Sequence, residues 1–202
     1  CTICGATKTE EIPATGGTVT PPAPDIPAVR FTDVTAGAYY ADAVSWAVSK
    51  GVTNGTSETT FSPNGDMTRA QFVTIIGRAL NGTGASTGKF TDVDESQYYI
   101  PYLYWGVAKG IITGTSDTTF HPDSPITRQD MATIIGRAIN NLGLNVSVAG
   151  TPVSGFHDAG SVASYAQNSV ELLRQKAILR GDTNGYLNPG DNMKRAEGMA
   201  VL

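Results

Sequence analysis

Two cysteines, Cys1 and Cys4, stand three positions apart at the very start of a 202-residue chain, and the remaining residues contain no third. A structural zinc site needs four ligands, and the two histidines, His121 and His157, lie far away in sequence, so the pair does not read first as a zinc centre. The pair reads as a disulfide or as the remnant of a truncated motif. Charge is also sparse: 16% of residues are charged, with 14 Lys and Arg against 18 Asp and Glu, for a net charge of -4. Nucleic-acid modules carry a basic stripe with interleaved aromatics, and nothing here resembles one. No apolar run approaches the roughly 18 to 20 residues that span a bilayer, which argues against membrane insertion. Calcium loops are wanting as well. The stretch "GDTNGYLNPGDNM" has Tyr186 and Met193 where counting from Asp182 demands oxygen ligands. No Ser-His-Asp or Cys-His arrangement is visible, and the acids have simpler roles than a hydrolase pair, so no enzyme and no cofactor is expected.

What the chain has in quantity is glycine, 23 residues, and proline, 11. Residues 13–30 are rich in Pro, Thr and Gly and read as a semi-extended linker. Residues 1–12 read as the end of a preceding cysteine-containing repeat, and the start at Cys1 rather than Met suggests a piece of a longer protein. The rest resolves into three units, 31–82, 83–142 and 143–202. "FTDV" at Phe31 recurs at Phe90 and is answered by "FHDA" at Phe156. Trp46 and Trp105 each follow their Phe by fifteen residues, with Leu172 at the third equivalent position. Arg69, Arg128 and Arg195 fall 59 and then 67 residues apart, inside "MTRAQ", "ITRQD" and "MKRAE". Repeated units of this length cannot bury a hydrophobic face alone and must stack on one another.

Each unit reads as helix, loop, helix, making the fold mainly α. Ala43, Trp46, Ala47 and Lys50 recur at helical spacing, and Gly51 can close the turn. Lys50, Lys109 and Lys176 occupy helix carboxyl ends, where the dipole favours them. The intervening loop, "GTSETTFSPNGD" in the first unit, is full of turn formers and carries one Phe that should pin it to the core. The second helix begins with a T-x-x-Q capping box, Thr68 and Gln71, loosened to Thr127 and Asp130 and replaced by Lys194 and Glu197. Phe72, Ile75, Ile76 and Ala79 then form its buried stripe.

The arginines pose the question. All three sit in the first turn of a helix, against the preference of a positive amino-terminal dipole. Such a cation is poorly placed for stability and well placed, beside free backbone N–H groups, to grip a carboxylate. The alternative is a structural pairing with Asp66 or with an acid from a neighbouring unit.

In combination, Phe-x-Asp, a Trp-bearing helix, Phe-x-Pro and Thr-Arg-Ala-Gln resemble the S-layer homology module, in three tandem copies over residues 31–202. The opening "CTICGATKTEEIPATGG" resembles the ends of cysteine-bearing repeats on large Gram-positive surface proteins. The module resemblance implies a pseudo-threefold, three-prong assembly about a shared helical core. It also implies grooves between prongs that bind secondary cell-wall polysaccharide carrying pyruvylated N-acetylmannosamine, in an extracellular anchor on the cell wall. Carried over residue by residue, glycan contacts fall on Arg69, Arg128, Arg195, Trp46, Trp105, Gly55, Gly114, Gly181, Asp33, Asp92, Asp158 and Gln71. For several of these a structural role competes: core packing for the tryptophans, first-helix caps for the three aspartates, turn geometry for the glycines and helix capping for Gln71. A lattice unit that self-associates, or a protein-docking module without glycan binding, is the other reading. Because unit three lacks the Trp, Phe and Thr, Arg69 and Arg128 are expected to carry most affinity, and their removal to leave folding unchanged or slightly improved. The last helix, stopping nine residues after Met193, is expected to be incomplete and the least stable edge.

Overall fold

The computed structural model describes residues 30–148 and 150–202; the expectations for Cys1, Cys4, the opening repeat end and the linker through residue 29 lie outside them. Among the described residues six α-helices follow in order: α1 (Ala41–Ser49), α2 (Arg69–Ala79), α3 (Ile100–Ala108), α4 (Arg128–Leu142), α5 (Gln167–Gln175) and α6 (Arg195–Ala200), with a short 3-10 turn over Ala159–Ser161. Each unit contributes two, as the periodicity predicts. Thr68 caps α2 through its side chain, which accepts from the Gln71 N–H while the Gln71 side chain accepts from the Thr68 N–H. Thr127 accepts from Asp130 in the same way. Lys50, Lys109 and Lys176 close α1, α3 and α5.

The extensive helix contacts among the described residues run between units, not within them: α2 packs on α3, α4 on α5, and α6 returns to α1. Each second helix therefore shelters under the first helix of the next unit, and the third unit closes onto the first. Small residues permit the approach. A Cβ on Gly77 would lie 2.6 Å from Tyr102, and one on Gly136 2.5 Å from Ser169. One hydrophobic core runs through all three units, from Phe31 to Met199. The loop aromatics Phe61 and Phe120, with Leu187 in the third unit, are fully buried in it.

Among the described residues there is no β-sheet, only three single-pair antiparallel bridges. They form a closed circuit just ahead of α2, α4 and α6. The Met67 N–H donates to Met193 O, Met193 N–H to Ile126 O, and Ile126 N–H to Met67 O, at 2.8–2.9 Å. Met67, Ile126 and Met193 are all fully buried.

Two sequence expectations change. The buried face of α1 is Ala41, Val44, Ser45 and Ala47, and Trp46 is 39% exposed, so the inward stripe is set one position away from the tryptophan. Of the expected α2 stripe, Phe72, Ile75 and Ile76 are buried and Ala79 only partly so, while Val73, Thr74 and Gly77 are buried too, because α3 covers the second face.

Candidate functional site

The three arginines answer to a neighbour and not to their own helix. Arg69 Nε donates to Phe120 O at 2.9 Å, Arg128 Nε to Leu187 O at 2.7 Å, and Arg195 Nε to Phe61 O at 2.8 Å. Each unit thus passes its arginine to the loop of the next, and the third passes it to the first. The guanidinium of Arg69 lies 4.9 Å from the Phe120 ring centroid and that of Arg195 4.8 Å from Phe61, so charge also stacks on an aromatic face. Arg69 and Arg195 are 7% and 4% exposed. Burial pushes both guanidinium pKa values down; arginine nonetheless stays protonated at neutral pH.

The backbone N–H groups at these helix starts are already used, which corrects the expectation that they are free for a ligand. Arg69 N–H donates to Ser124 O and Ala70 N–H to Pro122 O; Arg128 and Gln129 donate to Asp191 and Pro189, Arg195 and Ala196 to Gly65 and Pro63. The adjacent unit caps each helix with its own carbonyls. An acceptor from the next unit's tetrapeptide also faces each guanidinium: Asp130 at 3.7 Å from Arg69, Glu197 at 3.2 Å from Arg128, and the Gln71 amide oxygen at 3.1 Å from Arg195. Inter-unit pairing, the structural alternative, is therefore realised, whereas Asp66 pairs with Lys194 at 2.6 Å.

Around each arginine an open groove collects residues from all three units. The first holds Thr53, Gly55, Gln71 and Arg78 of unit one, Arg195 of unit three and Tyr98 of unit two, in about 370 Å³. In the second, of about 380 Å³, Gly114, Asp130 and Arg137 of unit two meet Arg69 and Tyr165. The third, about 720 Å³, brings Gly181, Arg180 and Glu197 together with Arg128 and Tyr39. These volumes suit a small ligand or a segment of a polymer. The glycines are demanded by packing: a Cβ on Gly55 would lie 2.4 Å from the Phe31 ring, and one on Gly114 2.3 Å from Ser116 O. Gly55 and Gly181 also adopt φ of +84° and +75°, which side chains resist.

Other expected contacts fall elsewhere. Trp105 is buried, with Gly82 and Gly84 lying directly against it, and lines none of these grooves; nor does Trp46. Trp105 belongs to the hydrophobic core, whereas Trp46 stands on the exposed side of α1. Asp33, Asp92 and Asp158 do not cap those helices either. Asp33 accepts from the Phe61 and Ser62 N–H groups, Asp92 from Phe120 and His121, and Asp158 from Leu187 and Asn188. They clamp the loop whose carbonyl receives the arginine. Burial opposes ionisation of Asp33 and Asp92, but those N–H donors prevail and hold both carboxyls below the usual range.

Sequence reasoning missed the groove aromatics Tyr39, Tyr98 and Tyr165, which are 71%, 55% and 52% exposed. Their signal is a tyrosine eight or nine residues after each unit's Phe. Tyr165 donates its hydroxyl to Asp130 at 2.6 Å, and burial followed by that bond pushes its pKa up to about 12. The second cations Arg78, Arg137 and Arg180 were missed as well.

Comparison with known proteins accords with this arrangement. The family model for the S-layer homology domain matches residues 30–73, 89–132 and 155–197. An endoglucanase of a Bacillus species is 30% identical over 87% of this chain and 18% of its own length. The surface-layer 125 kDa protein of Lysinibacillus sphaericus is 38% identical over 56% of this chain and 10% of its own. A cellulosome-anchoring protein of Acetivibrio thermocellus is 26% identical over 70% and 32%. The chain thus spans a third or less of the length of these relatives. With three matched copies whose arginines interlock unit to unit, the chain belongs to the S-layer homology domain family, a family of Gram-positive cell-surface proteins.

Proposed function

We propose that the chain is a non-covalent cell-wall anchoring module that binds secondary cell-wall polysaccharide, with a pyruvylated amino sugar held in the inter-unit grooves. The observation that carries this reading is the composition of each groove: a largely buried arginine donated by one unit, a second arginine and a glycine-bearing loop from the next, and an exposed tyrosine from the last. A carboxylate on a sugar ring matches that set. Guanidinium groups take the charge by charge-assisted hydrogen bonds, the phenol ring supplies an amphipathic wall for the ring face, and glycine lets the saccharide approach the backbone. The Nε of each arginine is fixed on a carbonyl, so its remaining N–H groups are already oriented when a ligand arrives, which lowers the ordering cost of binding.

A sedimentation assay on purified cell walls, before and after chemical removal of pyruvate, tests this. Binding should fall with salt and disappear from the depyruvylated wall. Equal binding to both preparations overturns the reading, and concentration-dependent self-association without wall binding points to a lattice unit.

A further inference from the structure

The three grooves share a plan and differ in charge. In the second, Arg69 and Arg137 face Asp130; in the third, Arg128 and Arg180 face Glu197. In the first, Arg78 and Arg195 share the lining with no carboxylate, because the position occupied by Asp130 and Glu197 in the other units is Gln71. Neither Arg78 nor Arg195 forms an ion pair among the described residues. Two acids do act on this groove from outside its lining, Asp33 on Arg195 and Asp123 on Tyr98, but Asp92 acts on Arg69 from the place equivalent to Asp33, so Asp33 does not set the first groove apart from the second.

We infer that the first groove is the principal site for an anionic saccharide, and that Gln71 is the residue that makes it so. This rests on the proposed function and adds which groove acts and why. An amide at this position keeps the helix cap, since Gln71 still accepts from the Thr68 N–H, and it still fixes Arg195 through its oxygen. What it withholds is a negative charge. In the other two grooves an incoming carboxylate must displace, or share the guanidinium with, an acid already in place, and like charges in one site repel. The wall aromatic sets the second groove apart in the same sense. Tyr165 spends its hydroxyl on Asp130, whereas the Tyr98 hydroxyl, like that of Tyr39 in the third groove, has no hydrogen bond among the described residues and is open to a sugar hydroxyl. The order expected from the departures of unit three is thereby reversed: Leu172, Leu187 and Lys194 belong to the unit that receives Arg128, while Arg195 itself serves the intact loop of unit one.

Gly55, Gly114 and Gly181 give each groove its own backbone reporter. The test is an amide-resolved NMR titration of the intact chain with the methyl glycoside of pyruvate-ketal N-acetylmannosamine, and with its neutral methyl ester. The Gly55 resonance should shift at roughly tenfold lower concentration of the acid than Gly114 or Gly181, the scale of one charged hydrogen bond, and the ester should abolish that preference. Gln71→Glu, a residue favoured in the capping box, should keep the fold and raise the Gly55 midpoint about tenfold. Asp130→Asn should lower the Gly114 midpoint towards that of Gly55. If Gly114 or Gly181 shifts at lower concentration than Gly55 in the unmodified chain, or the Gly55 midpoint stays put in a folded Gln71→Glu variant, the inference is overturned and the proposed function stands. Silence of all three glycines overturns both.

Discussion

Arg195 donates its Nε to the carbonyl of Phe61 at 2.8 Å, joining residues 134 positions apart and closing the third unit onto the first. This one bond argues against extending to Arg195 the expectation, drawn from the helix dipole for Arg69 and Arg128, that losing the arginine leaves folding unchanged. A cation in the first turn is unfavourable in isolation, but the residue is only 4% exposed, satisfies a carbonyl and covers an aromatic ring. Arg195→Ala should therefore destabilise the fold by about 1–3 kcal/mol, the cost of an orphaned buried acceptor. Denaturant unfolding measures it, and a midpoint equal to that of the parent chain would show that the contact is dispensable.

The two tryptophans should separate cleanly. Trp105 is buried against Gly82 and Gly84, so Trp105→Ala should cost about 3–5 kcal/mol. Trp46 is 39% exposed, and Trp46→Ala should cost no more than about 1 kcal/mol. Neither change should selectively weaken glycan binding in a chain that stays folded, which thermal melts run alongside wall sedimentation will decide.

Acid should loosen the loops that receive the arginines. Asp33 and Asp92 have folded pKa values below their ordinary ones: burial acts to raise them, but the amides of Phe61, Ser62, Phe120 and His121 outweigh it by stabilising the ionised form. Their contribution is fully present above about pH 4, the unfolded value, and is lost as pH falls through the folded values. Stability followed by circular dichroism should thus decline below that pH, and Asp33→Asn should make the decline shallower. A decline of unaltered slope in the variant would assign acid sensitivity to other carboxyls.

No unit should fold by itself. A fragment of residues 85–142 keeps α3 and α4 but loses α2, which covers α3, and α5, which covers α4. It should lack a cooperative thermal transition, whereas residues 30–202 should unfold in one step. A cooperative melt of the fragment is the contrary result.

The repeats, the helix–loop–helix order and the Thr68 cap are all readable because each is written within about a dozen residues, where turn formers and periodicity act. The arginine's destination is not. Superposing the units shows three equivalent arginines without saying whose loop receives each, and the contacts span 51, 59 and 134 residues. Asp33 illustrates the same limit. A short acid just before a helix looks like a cap, and only the tertiary fold brings it to amides 28 and 29 residues away. Trp46 misleads for a different reason: a large apolar residue at helical spacing points to an inward face, which the smaller Ala41, Val44 and Ala47 in fact provide.

The circuit of Met67, Ile126 and Met193 treats the covalent links between units as incidental. Unit three meets unit one through the same kinds of contact that unit one makes with unit two, so the order of units along the chain is a matter of connectivity and not of packing. A circular permutant that begins at unit two or unit three, with the first unit following the third through a suitable linker, would keep every inter-unit arginine contact. Such a molecule would present the same grooves from a different point of attachment.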